Sequence, residues 1–186
     1  MSQQRVEGTV TIEDARIVFR NFAGAEKQYN AKGDRNFAVI LDHDVAEQML
    51  KDGWNVKYLK PREDEEVGNP YISVSVSYKG RPPKIVMITS KGRTELPEEF
   101  VEMLDYVDIK MVDLIIRPYN WGPIKGEYGV KAYLKTMYMT ILEDDLELKY
   151  AEDFADGPQE LEGPGGRLAI SSGYNGEEII DAEVVD

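Results

Sequence analysis

Between Gly129 and Lys135 the side chains alternate: Val130, Ala132 and Leu134 take one face of an extended strand, and Lys131, Tyr133 and Lys135 take the other. A ring set between two ammonium groups is the combination that a single nucleic-acid strand requires. The ring stacks on a base of any identity, for ~1–3 kcal/mol per base, while the cations neutralise the adjacent phosphates. The preceding run repeats the theme, with Arg117, Tyr119 and Trp121 on one face, leading into the connection Asn-Trp-Gly-Pro-Ile-Lys-Gly-Glu. Two neighbouring strands with the same basic and aromatic alternation would make a patch rather than isolated contacts. The competing reading is that the rings fill a core and the bases solubilise an edge. For any single aromatic that reading is the stronger one; the clustering is what lifts the other.

Two more segments share this character. Arg20-Asn21-Phe22 through Gln28–Arg35 is a Gly-containing loop with two aromatics and four bases, from which Phe22, Tyr29, Lys32 and Arg35 are candidate contacts. Trp54 to Arg62 interleaves rings and bases, but a Trp just past a helix end is expected to be a packing anchor.

Catalytic chemistry is not supported. The chain has no phosphate-binding Gly-x-x-x-x-Gly-Lys-Ser/Thr loop, no Gly-x-Gly-x-x-Gly after a strand, and no Gly-x-Ser-x-Gly elbow. Zero cysteines remove thiolate metal sites, disulfides and thiol nucleophiles, and one histidine, His43, removes multi-His sites. A carboxylate-only magnesium site would need Asp105, Asp108 and Asp113 to converge, and for Asp113 an outward-facing polar position is the better expectation. Neither a cofactor nor a metal is expected, and the chain reads as a non-enzyme.

The net charge of −13 over 186 residues is unevenly spread. Residues 151–186 hold ten acids and one base, whereas residues 1–150 hold 25 acids and 21 bases. Lys79 to Arg93 carries five bases and no acid, so a locally basic face can exist on an acidic chain. The first residues lack the apolar stretch of a signal peptide, and no apolar run is long enough to span a bilayer. A cytoplasmic protein without membrane association is expected.

Residues 1–150 read as mainly β. Strands are expected over 6–20, bent or broken at Glu13-Asp14, and over 36–41, 71–79, 85–89, 107–119 and 128–142, with a phase shift near Thr136 of the kind a β-bulge makes. One helix is expected over Asp42–Asp52, stopped by Gly53, and a second, short one after Leu96-Pro97. This inventory fits a small closed barrel, an elaborated OB-fold with two short helices, with a β-sandwich as the alternative. Residues 151–186, with their Gly163-Pro164-Gly165-Gly166 run, read as a disordered acidic tail after a 1–150 nucleic-acid-binding domain.

Several stretches resemble bacteriophage single-stranded DNA-binding proteins: Arg20-Asn21-Phe22-Ala23-Gly24, Asp52-Gly53-Trp54-Asn55-Val56-Lys57, Asp113-Leu114-Ile115-Ile116-Arg117-Pro118-Tyr119-Asn120-Trp121 and Gly129-Val130-Lys131-Ala132-Tyr133-Leu134-Lys135-Thr136-Met137-Tyr138. The resemblance implies an OB-fold, sequence-independent binding and protection of exposed strands in phage replication or recombination, and no catalysis. It also likens the acidic tip, Ile179, Ile180, Asp181, Glu183, Val184, Val185 and Asp186, to the tails with which bacterial single-stranded DNA-binding proteins recruit replication or recombination partners, although this tip lacks their terminal aromatic. Self-association is left open. The rival is an acidic protein-interaction or DNA-mimic module that binds no nucleic acid, for which the net charge argues and its concentration at one end argues against.

Overall fold

The computed structural model describes residues 5–144. The expected acidic tail and its tip lie outside the described residues. The chain divides into Met1–Glu143 and Asp144–Asp186, and the architecture below is that of the first unit. In order it contains β1 (Val10–Ile12), β2 (Arg16–Asn21), β3 (Arg35–Ile40), α1 (His43–Lys51), β4 (Val56–Tyr58), β5 (Pro70–Val76), β6 (Lys84–Thr89), β7 (Gly92–Glu95), a 3-10 helix (Glu98–Asp105), β8 (Ile109–Ile124) and β9 (Glu127–Ile141).

Local chemistry accounts for the punctuation. Helix α1 starts after Asp42, whose side chain makes no capping bond. It ends in a Schellman motif: the Trp54 N–H donates to the Met49 carbonyl at 2.9 Å and the Gly53 N–H to Leu50 at 3.1 Å, with Gly53 at φ 96°. Met49 and Trp54 are both buried, the apolar contact that usually accompanies this motif, so Trp54 is the packing anchor expected. Of the expected apolar face, Ala46 and Met49 are buried, whereas Val45 and Leu50 stay 40% and 42% exposed. The β8–β9 connection is tighter than the sequence suggests. Both strands run on into the expected loop and turn at Lys125-Gly126, whose φ values of 53° and 83° give the doubly positive geometry that suits hairpins.

The strands form one sheet with the order β1-β8-β9-β5-β3-β2; β4 adds to β5, and β6 adds to β9 and carries β7. The expected closed barrel is not formed, because the outer strands of this path do not pair with each other. The reason lies at the join between β1 and β2. Asp14, at φ 49°, turns the chain away from β8 after its N–H has bonded Asp113 Oδ1 at 2.8 Å, and the Ala15 N–H makes one last bond to Val112 at 2.7 Å. Beyond that point β2 meets the segment preceding β8 through a side chain instead of a ladder. Arg20 Nη1 donates to the carbonyls of Leu104 and Val107, each at 2.8 Å. The second helix, of 3-10 rather than α type, stands at this seam and buries Val101 and Leu104.

One face of the sheet carries the core: Phe37 and Val39 from β3, Ile72, Val74 and Val76 from β5, Val112, Leu114 and Ile116 from β8, and Val130, Ala132 and Leu134 from β9. The expected phase shift is present. From Ile115 to Ile116 β8 advances one residue while its partner on β9 moves from Thr136 to Leu134, leaving Lys135 as the extra residue of a bulge. Inward positions therefore change from Val130, Ala132 and Leu134 to Met137 and Met139.

If Arg20 closes the seam, Arg20→Ala strands two carbonyls and should destabilise the fold by on the order of 1.5–3 kcal/mol. Urea denaturation of the two proteins checks this; an unchanged midpoint would show that the seam is held by the helix packing alone.

Candidate nucleic-acid interface

Opposite the core, β8 and β9 present a small grid. Arg117 faces Tyr133, Tyr119 faces Lys131, and Trp121 faces Gly129 across the ladder. Strand alternation puts all six positions on one side, because Pro118, Ala132 and Val130 take the inward places between them. Tyr133 sits at the centre. The Arg117 guanidinium lies 5.1 Å and the Lys131 ammonium 5.4 Å from its ring centroid, and Tyr119 meets it edge-on at 5.9 Å and 81°. Arg117 also donates to the Arg81 carbonyl at 3.4 Å, which brings the basic 79–84 turn to the same rim. Among the described residues no carboxylate pairs with Arg117, Lys131 or Lys135, so these charges remain available to an anion.

Trp121 is held by the absence of a side chain opposite. A Cβ on Gly129 would overlap the indole atoms Cζ2 and Cε2, so the ring lies directly over the glycine backbone. Tyr119 is 53% exposed, and Lys131 and Lys135 are exposed, while Tyr133, Arg117 and Trp121 are half-buried. The bulge gives Lys135 no partner on β8 and sets it close to Thr136, which pairs with Lys84 of β6.

The loop residues fare differently. Phe22 is fully buried and stacks on Phe37, with centroids 5.4 Å apart at 23°. It is a core ring and cannot receive a base, a correction to the sequence reading; the polar loop around it masks an apolar position. Arg35 is also engaged. It donates from Nε to the Phe22 carbonyl, pairs with Glu98 at 2.9 Å and lies 5.5 Å from the Tyr78 ring centroid. Burial pushes the Tyr78 hydroxyl above the usual tyrosine range, with Arg35 opposing and Glu98 and Glu99 adding to the rise. Arg35 projects on the core side of β3, as Phe37 does, so it lies on the other face of the sheet from Tyr133. Tyr29 and Lys32 are exposed, Tyr29 at 92%, on a loop that is tied rather than loose. Asn30 Nδ2 donates to the carbonyls of Ala25, Ala31 and Asp34, and Gly33 bonds Gly24 at 2.8 Å.

Sequence reasoning did not single out the polar neighbours of Tyr133. Ser75 pairs with Tyr133 across the parallel β5–β9 contact, and Asn36 pairs with Ser75, so the row Asn36, Ser75, Tyr133, Arg117 crosses four strands on one face. A cleft of about 190 Å³ opens beside it, lined by Trp54, Asn55, Ser73, Ser75 and Lys131 among others. The outward serines of β5 were legible from alternation; their adjacency to β9 was not, since a parallel pairing between distant strands leaves no local mark.

Two of the three carboxylates considered for a metal, Asp105 and Asp113, have structural partners. Asp105 accepts the N–H groups of Phe22 and Ala23 at 2.7 and 3.0 Å, and Asp113 accepts that of Asp14. Among the described residues no group of three or more His, Cys, Asp or Glu is placed to hold a metal ion.

Over residues 1–186 the chain matches the family described as "Putative phage ssDNA-binding domain". The chain belongs to this phage single-stranded-DNA-binding family. None of the curated proteins matches it. Among solved structures it is similar to the single-stranded DNA-binding protein from bacteriophage Enc34, at 13% identity, covering 74% of this chain and 83% of that one with a TM-score of 0.48. The same Enc34 protein in complex with ssDNA gives 13% identity, 74% and 88% coverage and a TM-score of 0.49. Gp2.5, a single-stranded DNA-binding protein of bacteriophage T7, gives 9% identity, 84% and 97% coverage and 0.39. Among the described residues no helix is long and apolar enough to cross a membrane.

For this family member the Gly129–Trp121 contact is directly testable. Gly129→Ala should displace the indole and shift its fluorescence emission, with the β8–β9 ladder retained by far-UV circular dichroism. An unshifted spectrum would mean that the ring does not depend on the bare backbone.

Proposed function

We propose that the protein binds single-stranded DNA without sequence preference and coats and protects exposed strands during phage replication or recombination, through the β8–β9 face. The observation that carries this reading is Tyr133, ringed by Arg117, Lys131 and Tyr119 within 5.1–5.9 Å. Rings stack on bases and contribute affinity that ignores sequence, while unpaired cations beside them take phosphates. Arg117, Tyr119, Trp121, Lys131, Tyr133 and Lys135 form the proposed contact set, with Tyr29 and Lys32 at its margin. Phe22 is excluded by burial, and the charge of Arg35 is already met by Glu98.

The protein acts as a passive binder and not as an enzyme in this reading. The support is the family match, together with the use of Asp105 and Asp113 as acceptors for backbone N–H groups. Residues 151–186, with ten acids and an apolar-acidic tip at Ile179, Ile180, Val184 and Val185, recruit replication or recombination proteins. Removing them should leave single-strand affinity in place and abolish capture of those partners from infected cells; capture that survives truncation would assign recruitment to the folded unit.

The decisive experiment titrates single- and double-stranded oligonucleotides of several sequences at two or more salt concentrations. Binding should favour single strands, vary little with sequence and weaken as salt rises, because counterions are released. Tyr133→Ala should cost about 1–3 kcal/mol with the salt slope unchanged. Lys131→Ala should reduce that slope by about one unit. Equal affinity for duplex and single strand, or a Tyr133→Ala protein that binds normally, would defeat the proposal.

A further inference from the structure

The 3-10 helix leaves one of its faces uncovered. With about three residues per turn, side chains three apart in sequence line up, so Glu98–Asp105 and the next residue form three rows. The first row starts with the exposed Glu98 and continues with Val101 and Leu104, which are buried. Glu99 and Glu102 lead the second, which ends in Asp105, committed to the Phe22 and Ala23 N–H groups. The third row is Phe100, Met103 and Tyr106, exposed at 61%, 37% and 83%. Phe19 adds another exposed ring, at 65%, on the residue before Arg20, which grips the carbonyls of Leu104 and Val107 at this end of the helix. Phe19 holds φ 54° inside the β2 bulge, a conformation that favours glycine. Aligned exposed apolar side chains rimmed by charge are the mark of an interaction surface.

The charges beside the row select its occupant. Glu98, Glu99 and Glu102 line a cleft of about 350 Å³ with Ala23 and Arg35, and Arg35 is paired with Glu98. The surface next to the apolar row is therefore acidic. Nucleic acid and anionic lipid are repelled by it, and a second copy meeting it across a two-fold axis would bring a second acidic rim into the same interface. A segment with both apolar and basic side chains complements it on both counts.

We infer that the Phe100–Met103–Tyr106 face is a docking site for a protein partner that presents an amphipathic, basic segment. The helix packs on the core side of the sheet, where Arg35 and Glu98 join, whereas Tyr133 lies on the other side, so the docked partner and a strand on the β8–β9 face occupy different surfaces.

The test uses the full-length protein and a fluorescein-labelled helical peptide built only of Leu and Lys, with leucines on one face, beside a scrambled peptide of the same composition. The acids of residues 151–186 attract both peptides alike, so the readout is the preference for the ordered over the scrambled peptide. That preference should be about tenfold, the size that one or two well-seated apolar anchors give. Phe100→Ser and Met103→Ser should each erase it, and Glu99→Gln with Glu102→Gln should weaken the ordered peptide more than the scrambled one. Tyr133→Ala should leave it intact, and single-strand affinity should be the same for Phe100→Ser and the unmodified protein. If Phe100→Ser loses its fold by circular dichroism, Tyr106→Ser, at the most exposed position of the row, carries the same expectation. No preference for the ordered peptide, or a preference that survives all three serine substitutions, overturns the proposal. So does sedimentation showing a dimer of the unmodified protein that Phe100→Ser dissociates, because the occupant would then be a second copy.

Discussion

The antiparallel ladder between β8 and β9 is the interaction on which the rest of the structure hangs. Among the described residues β1 pairs with this ladder at β8, and β5 and β6 pair with it at β9 and carry the remaining strands, so core, edges and candidate interface all take their register from this pair. Because side chains alternate, a slip of one residue would exchange Tyr133 and Lys131 for Ala132 and Val130. Such a slip would put charge and phenol groups into the core and bare aliphatics onto the surface, which fixes the register firmly. The bulge at Lys135 is the register shift in the middle of the ladder, the other two lying towards its ends. It lets the same strand bury Leu134 and Met137 on either side of two outward residues, and so extends the core without a break.

Both halves of that ladder are needed to make the candidate interface. One strand alone would carry a line of alternating rings and cations; two strands in register turn the line into a grid in which every cation lies next to a ring. Arg117 against Tyr133 and Lys131 between Tyr133 and Tyr119 hold the rings in place through cation–π and edge contacts, each worth on the order of 0.5–1.5 kcal/mol. A ring already oriented loses less conformational freedom when a base stacks on it. Gly129 serves the same end for Trp121 by lacking a side chain at the position where the indole lies.

The two proposed surfaces differ in their backing. The Tyr133 face is supported by the full width of the sheet, with Ser75 and Asn36 in the same row. The Phe100 row rests on one short helix that also fills the seam where a barrel would have closed. Because Arg20 and Asp105 tie that helix to β2 and to the loop after it, the open seam and the exposed apolar row arise from the same set of bonds.

The local features of this protein were written in its sequence. Alternation identified β8, β9, the core residues of β5 and the outward Lys131, Tyr133 and Lys135; the phase change marked the bulge; Gly53 marked the end of α1. These signals are short-ranged, set by the two-residue period of a strand or by one glycine's positive φ. The tertiary structure decided what depends on distant contacts. Whether Phe22 was a stacking ring or a core ring rested on Phe37, and the fate of Arg35 on Glu98, 63 residues away. The open sheet rested on Arg20 reaching carbonyls more than 80 residues along the chain. Strand count and pattern are the same for an open and a closed sheet, so closure is settled only by which side chains and backbone groups satisfy the last free edge.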